Sequence, residues 1–211
     1  MKRKWKLWMI AFVLFVMTDI MMQSNRAEAK KRTFTVSSKT IPCSSTYRQK
    51  PYYNKKTKQY YMINSYMKRL STTGGTLKLK KGTYKIPGTI YVPSNVKIVC
   101  ANGVKIKKTK ATGTKKVKST KFLFQMISEE KASGKQNTGK YAASKNASIQ
   151  GNGKVIFDMG NVNGATAVFV GHASGITVSG VRFRNKKGGS YIWIEGSKNI
   201  SAVSYTHLTL P

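Results

Sequence analysis

The sequence predicts an all-β protein, a right-handed parallel β-helix preceded by a short capping helix. Hydrophobic residues follow a helical period before Gly75 and a period of two after it. The later strands are apolar on one face and mostly lysine on the other, and they recur at intervals of roughly 25 residues, as in solenoid proteins. A β-sandwich would instead place hairpin turns of two to five residues between its strands.

Residues 1–29 have the three parts of a secretory signal peptide. Basic residues lie within positions 2–6, an apolar run covers 7–17, and Ala27-Glu28-Ala29 offers small residues for cleavage. The alternative is an uncleaved anchor, but Asp19 interrupts the run before it reaches the ~20 apolar residues of a transmembrane helix. We expect a mature chain that begins near Lys30, has no transmembrane segment, and is secreted or held at the cell surface.

The net charge predicts an anionic partner. The chain has 39 Lys and Arg against 6 Asp and Glu, a net charge of +33. Removing residues 1–29 takes away five basic and two acidic residues, which leaves 34 − 4 = +30. Such a field attracts acidic polysaccharide or an anionic cell-wall polymer. No specific nucleic-acid partner is expected, because the lysines are spread along strands and no nucleic-acid-binding motif is present.

Residues 30–75 are expected to form an N-terminal segment that contains the capping helix, at about 54–70. One apolar stripe at spacings of three and four residues supports this helix: Tyr60, Ile63, Met67 and Leu70. Asn54 is a candidate N-cap, and Gly74-Gly75 ends the helix.

Residues 76–203 are expected to form the coils of the β-helix, with three ladders of strands. The first ladder, whose members begin with Asn or Gly, comprises residues 95–98, 146–149, 175–178 and 199–202. The second comprises residues 104–106, 155–157 and 181–183, and the third comprises 90–92, 122–127, 168–170 and 192–194. We interpret the 51 residues between the first two members of the first ladder as two periods. Asp158 and Arg184, 26 residues apart, are expected to stack as a surface ion pair.

Two cysteines leave two alternatives open. Cys43 and Cys100 could form one disulfide in an extracellular compartment. Alternatively, Cys100 is a small buried apolar residue, because it shares the parity of Val96 and Ile98 on one face of a strand. The spacing of Cys and His indicates no metal site.

Residues 61–98 resemble the N-terminal part of the pectate-lyase-like right-handed β-helix superfamily. The shared features are a helix, the pattern GGT-apolar-x-apolar-x-x-GTY at Gly74–Tyr84, and a strand followed by Ser94-Asn95-Val96. Residues 149–158 and 178–185 are similar to coils of polygalacturonases, and the resemblance extends from Tyr61 to Val203. It implies a secreted polysaccharide lyase or glycoside hydrolase that acts on an acidic, pectin-like polymer.

The resemblance also leads us to expect an N-terminal fragment. Polygalacturonase-like proteins carry an Asn-Thr-Asp element, an Asp pair, a His and an Arg-x-Lys after the coil that here contains residues 199–202, and none of these follows. Residues 204–211 depart from the ladder pattern and are expected to be a non-native tail, so that His207 has no role. No cofactor is evident; Ca²⁺ is expected only for a lyase, with ligands outside this chain.

The candidate catalytic residues are Glu195 and His172. One coil separates them, and stacking places His172 beside Gly196, which makes them the single acid and histidine pair that the ladders bring close. The alternative is a hydrogen-bonded turn without a chemical role.

The candidate substrate-binding residues are Phe169, Trp193, Lys186 and Lys187. Phe169 and Trp193 are 24 residues apart and would form a sugar platform if both rings point outward; packing of both into the core is the alternative. Two functions therefore remain: an enzyme of acidic polysaccharides, or a non-catalytic, lysine-rich surface protein that binds anionic polymers.

Overall fold

The computed structural model describes residues 32–134 and 138–203, which form a right-handed parallel β-helix. The predicted fold class is confirmed. The predicted signal peptide (1–29) and tail (204–211) lie outside the described residues. In the described part of the chain, no helix is long and apolar enough to cross a membrane.

Three parallel sheets build the solenoid. The first sheet has the order β1-β2-β5-β8-β11-β14, with β1 Arg32–Val36, β2 Gly75–Leu79, β5 Val96–Cys100, β8 Ser148–Gly151, β11 Ser174–Ser179 and β14 Lys198–Val203. The second has the order β3-β6-β9-β12, with β3 Gly82–Ile86, β6 Val104–Lys108, β9 Ile156–Asp158 and β12 Arg182–Arg184. The third has the order β4-β7-β10-β13, with β4 Ile90–Tyr91, β7 Phe122–Gln125, β10 Thr166–Gly171 and β13 Ile192–Glu195.

The Asn or Gly at the start of each first-ladder strand has a conformational cause. Gly74, Asn95, Asn146, Gly175 and Asn199 have φ values of 68, 60, 53, 64 and 55° and stack in neighbouring coils. This left-handed backbone conformation turns the chain into each strand of the first sheet. Gly adopts it freely and Asn more readily than other residues with a Cβ, which explains the repeat.

The long interval between the first two repeat members is one coil and not two. β5 pairs directly with β8, with Ile98 opposite Ile149. The extra length is inserted at the corners, between β6 and β7 and between β7 and β8. The two-period interpretation is wrong because inserted loops leave the strand register unchanged.

The capping helix is shorter than predicted. Three helices are described: α1 Ser45–Arg48, α2 Lys58–Leu70 and α3 Glu129–Ala132. α2 buries Ile63, Met67 and Leu70 and packs against β2, β3 and β4. Thr57 is its N-cap residue. Asn54 lies one turn earlier, where its side-chain oxygen accepts the N–H of Lys56, so the predicted N-cap is wrong.

The two cysteines are not bridged. Both are free, and Cys100 is fully buried beside Val96 and Ile98 on the inner face of β5. Burial raises the pKa of the Cys100 thiol to about 12. Of the two alternatives, the structure shows the buried apolar residue.

Asp158 forms a different ion pair from the predicted one. It is opposite Arg184 in the sheet register, but it is buried, and its Oδ2 lies 2.8 Å from Lys105 Nζ. Asn185 Nδ2 and the backbone N–H of Gly160 donate to its Oδ1 at 2.8 and 2.9 Å. Burial opposes ionisation, but these donors together keep the pKa of Asp158 below its usual value.

One lysine points inward. Lys108, at the end of β6, has no exposed surface. Four acceptors surround the three N–H groups of its ammonium at 2.8–3.1 Å: the carbonyls of Pro87, Gly88 and Phe122 and the Thr120 hydroxyl oxygen. Lys108 therefore ties the corner between β3 and β4 to the start of β7.

Candidate functional site

The outer surface of the third sheet carries an aromatic cluster, formed by Phe122, Phe169 and Trp193. The rings of Phe122 and Phe169 are stacked, with centroids 4.5 Å apart and planes 9° apart. The Trp193 ring meets Phe169 at 5.3 Å and 69°, and Phe122 at 6.2 Å and 67°. Trp193 keeps 37% of its surface exposed. The cluster is therefore a preformed apolar surface open to solvent.

The strand alternation sets the direction of two of these rings. Phe169 and Trp193 are register partners in β10 and β13, and the neighbouring Val168 and Val170 are buried. Because successive side chains in a strand point to opposite faces, Phe169 and Trp193 point outward. Of the two packings considered, the structure has the outward one.

A lysine borders the cluster. Lys121 Nζ lies 4.3 Å from the Trp193 ring centroid and 5.7 Å from that of Phe122. An ammonium over an aromatic face is attracted by the ring quadrupole. The arrangement places one positive charge directly beside the exposed indole.

Sequence reasoning did not assign Lys121 and Phe122 to the site. Phe122 has the parity of Phe124, which is fully buried, so alternation predicts an inward ring. Phe122 instead begins β7 directly after an inserted loop and is only partly buried. The usable signal was an aromatic residue next to lysine at the first position of a strand in the same ladder as Phe169.

Glu195 and His172 are neighbours through the backbone. The N–H of His172 donates to the carbonyl of Glu195 at 2.9 Å, and the imidazole lies against Gly196, as the stacking predicts. Both side chains are exposed, and His172 Nδ1 lies 3.2 Å from the Lys140 carbonyl oxygen. Among the hydrogen bonds and ion pairs of the described residues, none joins the Glu195 carboxylate to the imidazole. Their catalytic role stays a prediction.

The other carboxylates are held by structural partners. Tyr47 donates to Glu129 Oε2 at 2.6 Å, and Glu130 pairs with Lys68. Burial and, second, this hydrogen bond raise the pKa of Tyr47. These contacts attach α3 to the N-terminal helices. Within residues 32–134 and 138–203, no three His, Cys, Asp or Glu side chains are grouped as metal ligands would be.

Lys186 and Lys187 lie in the exposed turn between β12 and β13. Lys186 Nζ is 5.6 Å from the Tyr191 ring centroid, and Lys187 forms an isolated bridge with Asn163. The turn leads into the strand that carries Trp193. Their part in binding stays a prediction.

Comparison with known proteins finds a likeness to solved structures. No family model matches the chain, and no curated protein matches it. A solved structure of an iota-carrageenase complexed with iota-carrageenan fragments is 24% identical over 58% of this chain and 24% of the enzyme, with a TM-score of 0.43. PfbA, a surface adhesin of Streptococcus pneumoniae, is 14% identical over 84% of this chain and 40% of its own, with a TM-score of 0.51. The chain thus spans less than half the length of either protein. At these identities, the likeness to PfbA supports the β-helix fold and does not assign an activity.

Proposed function

We propose that this protein binds an acidic polysaccharide, such as a pectin-like polymer or an anionic cell-wall polymer, outside the cell. The observation that carries this proposal is the aromatic cluster with Lys121 against it. The indole of Trp193 offers a flat apolar face to a sugar ring. Lys121 offers a charge partner for a carboxylate or sulfate on that sugar.

The charge of the whole chain supports the same proposal. A net charge of +33 attracts polyanions over a distance comparable to the Debye length, about 10 Å at 0.1 M salt. The sequence has 6 Asp and Glu to oppose this field. Within the described residues, the two ion pairs involve Lys68 and Lys105, so they leave the other lysines available to a polyanion. We therefore expect affinity to have a salt-dependent part from lysines and a less salt-dependent part from the rings.

A polysaccharide lyase or glycoside hydrolase is the second hypothesis. The motifs that resemble the pectate-lyase-like superfamily and the adjacent positions of His172 and Glu195 favour it. Inverting hydrolysis needs two carboxyl groups about 6.5–9.5 Å apart. Three of the four acids after residue 29 already hold structural partners, so binding is the function that the described geometry supports better.

Affinity electrophoresis tests the proposal. The protein is run in gels with and without polygalacturonate, with neutral dextran as the control polymer. Trp193→Ala is expected to lower the affinity for polygalacturonate about tenfold, the equivalent of losing one aromatic contact. Lys121→Gln is compared with Lys85→Gln, which removes the same charge from an exposed strand position.

The expected result is a larger loss for Lys121→Gln than for Lys85→Gln. Circular dichroism verifies that each variant is folded. If Trp193→Ala binds as the unmodified protein does, the aromatic cluster is not the binding site. Release of reducing ends or unsaturated uronides that disappears with Glu195→Gln would favour the enzyme hypothesis.

A further inference from the structure

A second concave surface lies at the corner between the third and first sheets. It is a pocket of about 520 Å³, and we call it the basic pocket. Its lining includes Lys140, Tyr141, Lys145, Asn146, Ser174 and Lys198. The volume is in the range of small-ligand sites. The pocket thus combines three ammonium groups with one aromatic ring.

The aromatic wall of the basic pocket is exposed. Tyr141 keeps 38% of its surface accessible, and Lys198 Nζ lies 4.7 Å from its ring centroid. This repeats, at a separate place, the pairing of Lys121 with Trp193 in the aromatic cluster. The basic pocket therefore has the same two elements, a ring face and an adjacent positive charge.

Backbone hydrogen bonds hold the pocket walls to the solenoid. The N–H of Ala143 donates to the carbonyl of His172, and the N–H of Asn146 donates to that of Ser174, at 2.9 and 3.0 Å. In the next coil, the N–H of Lys198 donates to the carbonyl of Ala173 at 3.1 Å. Because backbone hydrogen bonds join these segments to neighbouring coils, a ligand would meet a largely preformed site.

The positive charges of the pocket are not neutralised by the protein. The two ion pairs within residues 32–134 and 138–203 involve Lys68 and Lys105, and neither includes Lys140, Lys145 or Lys198. Three like charges around one pocket repel one another, and an anion placed between them relieves this repulsion. The lining contains no Asp or Glu that would compete with such an anion.

We propose that the basic pocket binds one carboxylate or sulfate-ester group of an anionic polysaccharide, while the sugar that carries this group contacts the Tyr141 ring. The inference rests on the proposed polysaccharide-binding function and adds a second subsite to it. Lys145 and Lys198, which occupy the same register position in the coils on either side of Ser174, bind the anionic group. Tyr141 provides the apolar face for the sugar ring.

Three polysaccharides that share the dextran backbone and differ in their charged group test this inference. The full chain is titrated with dextran, carboxymethyl-dextran and dextran sulfate at low salt. Lys145→Gln and Lys198→Gln are each expected to lower the affinity for the charged polymers about fivefold, the effect of one charge pair at about 4 Å in water. Tyr141→Ala is expected to weaken binding, whereas Tyr141→Phe retains the ring and should bind normally. Lys78→Gln and Lys97→Gln, at exposed positions of the first sheet, are the charge-matched controls.

The outcomes separate this inference from the proposed function. Losses at Lys145 and Lys198 that exceed those at Lys78 and Lys97 support the basic pocket, and the polymer that shows them identifies the anionic group. Equal losses in all four variants overturn it, because binding would then depend only on total charge. If the basic-pocket variants lose affinity while Trp193→Ala does not, the basic pocket stands and the aromatic cluster fails as a site. If Trp193→Ala loses affinity while the basic-pocket variants do not, the basic pocket is refuted as a subsite and the aromatic cluster stands as the binding site.

Discussion

Replacing Lys108 by Met removes an ammonium group from the interior while keeping nearly the same side-chain length. In the structure, three backbone carbonyls and one hydroxyl oxygen lie within hydrogen-bonding distance of this group. The Pro87 carbonyl also accepts the Thr120 N–H, and the Phe122 carbonyl also accepts the Thr89 hydroxyl. Lys108 is the sole donor to the Gly88 carbonyl among the hydrogen bonds of the described residues.

The cost of Lys108→Met follows from these partners. Leaving the buried Gly88 carbonyl without a donor costs about 1–3 kcal/mol, and each further hydrogen bond lost costs about 1 kcal/mol. A neutral amine has two N–H groups and donates at most two of these hydrogen bonds. When the wild-type amine is neutral, we therefore expect the variant to lower the free energy of unfolding by about 3 kcal/mol, roughly 2 for the Gly88 carbonyl and about 1 for the second hydrogen bond. Met fills most of the same space, so little is added for a cavity.

The cost is expected to depend on pH. Burial lowers the pKa of Lys108 from 10.5 to about 7. Between these values the unfolded chain binds the proton and the folded chain does not, so the free energy of unfolding of the wild type rises with pH. The rise is about 1.4 kcal/mol per pH unit well inside this window, or roughly 2 kcal/mol between pH 7 and pH 9. Met does not titrate, so the variant lacks this contribution.

Urea unfolding followed by circular dichroism at pH 7 and pH 9 measures the difference. We expect Lys108→Met to be destabilised by about 1 kcal/mol at pH 7 and about 3 kcal/mol at pH 9. Lys85→Met, at an exposed position, removes the same charge and serves as the control for net repulsion among lysines. If the cost of Lys108→Met is the same at both pH values, the lowered pKa of Lys108 is disproved, because the buried group would then keep its proton in the folded state.

Three further predictions concern buried or constrained residues. Asp158→Asn breaks the ion pair with Lys105 and is expected to lower the free energy of unfolding by about 3 kcal/mol at pH 7 in urea unfolding. The wild type is expected to lose this stabilisation as pH falls below 3.8, the ordinary pKa of Asp, because the folded protein holds the pKa of Asp158 lower. A measured cost below about 0.5 kcal/mol would contradict the role of this ion pair. Iodoacetamide at pH 8 is expected to alkylate the partly exposed Cys43 and to spare Cys100, whose pKa is about 12, so rapid double modification in mass spectrometry would count against the buried position. Asn95→Val is expected to cost about 1–2 kcal/mol in thermal or urea unfolding because φ is 60°, whereas Asn95→Gly should be nearly neutral; equal costs would disprove the conformational explanation of the repeat.

The strand ladders could be predicted because each is encoded locally. Alternation fixes which face of a strand is buried, and the Asn or Gly before each first-ladder strand records a left-handed backbone position. Register then follows from the order of the repeats. The inserted loops could not be placed by counting, since the 51 residues from Asn95 to Asn146 belong to one coil of variable corner length.

Side-chain partners were less predictable than strand positions. In a solenoid each residue has neighbours in the coil above and in the coil below, and Asp158 pairs with Lys105 above and not with Arg184 below. The sequence offset alone does not choose between them. Phe122 departs from alternation, because it is a partly exposed ring at an inward parity. Lys108 follows alternation, since it has the parity of the buried Val104 and Ile106, but its charge argues against burial and the corner carbonyls that accept its hydrogen bonds are not visible in the sequence.

A crystal structure of the chain in complex with a tetragalacturonate would show whether the aromatic cluster binds an acidic sugar. We expect a sugar ring against the exposed face of Trp193, with its carboxylate within hydrogen-bond distance of Lys121 Nζ. The Phe122 and Phe169 rings should keep their present stacking, because the site is preformed. An oligosaccharide bound elsewhere at saturating concentration, with the aromatic cluster unoccupied, would show that the cluster is not the binding site.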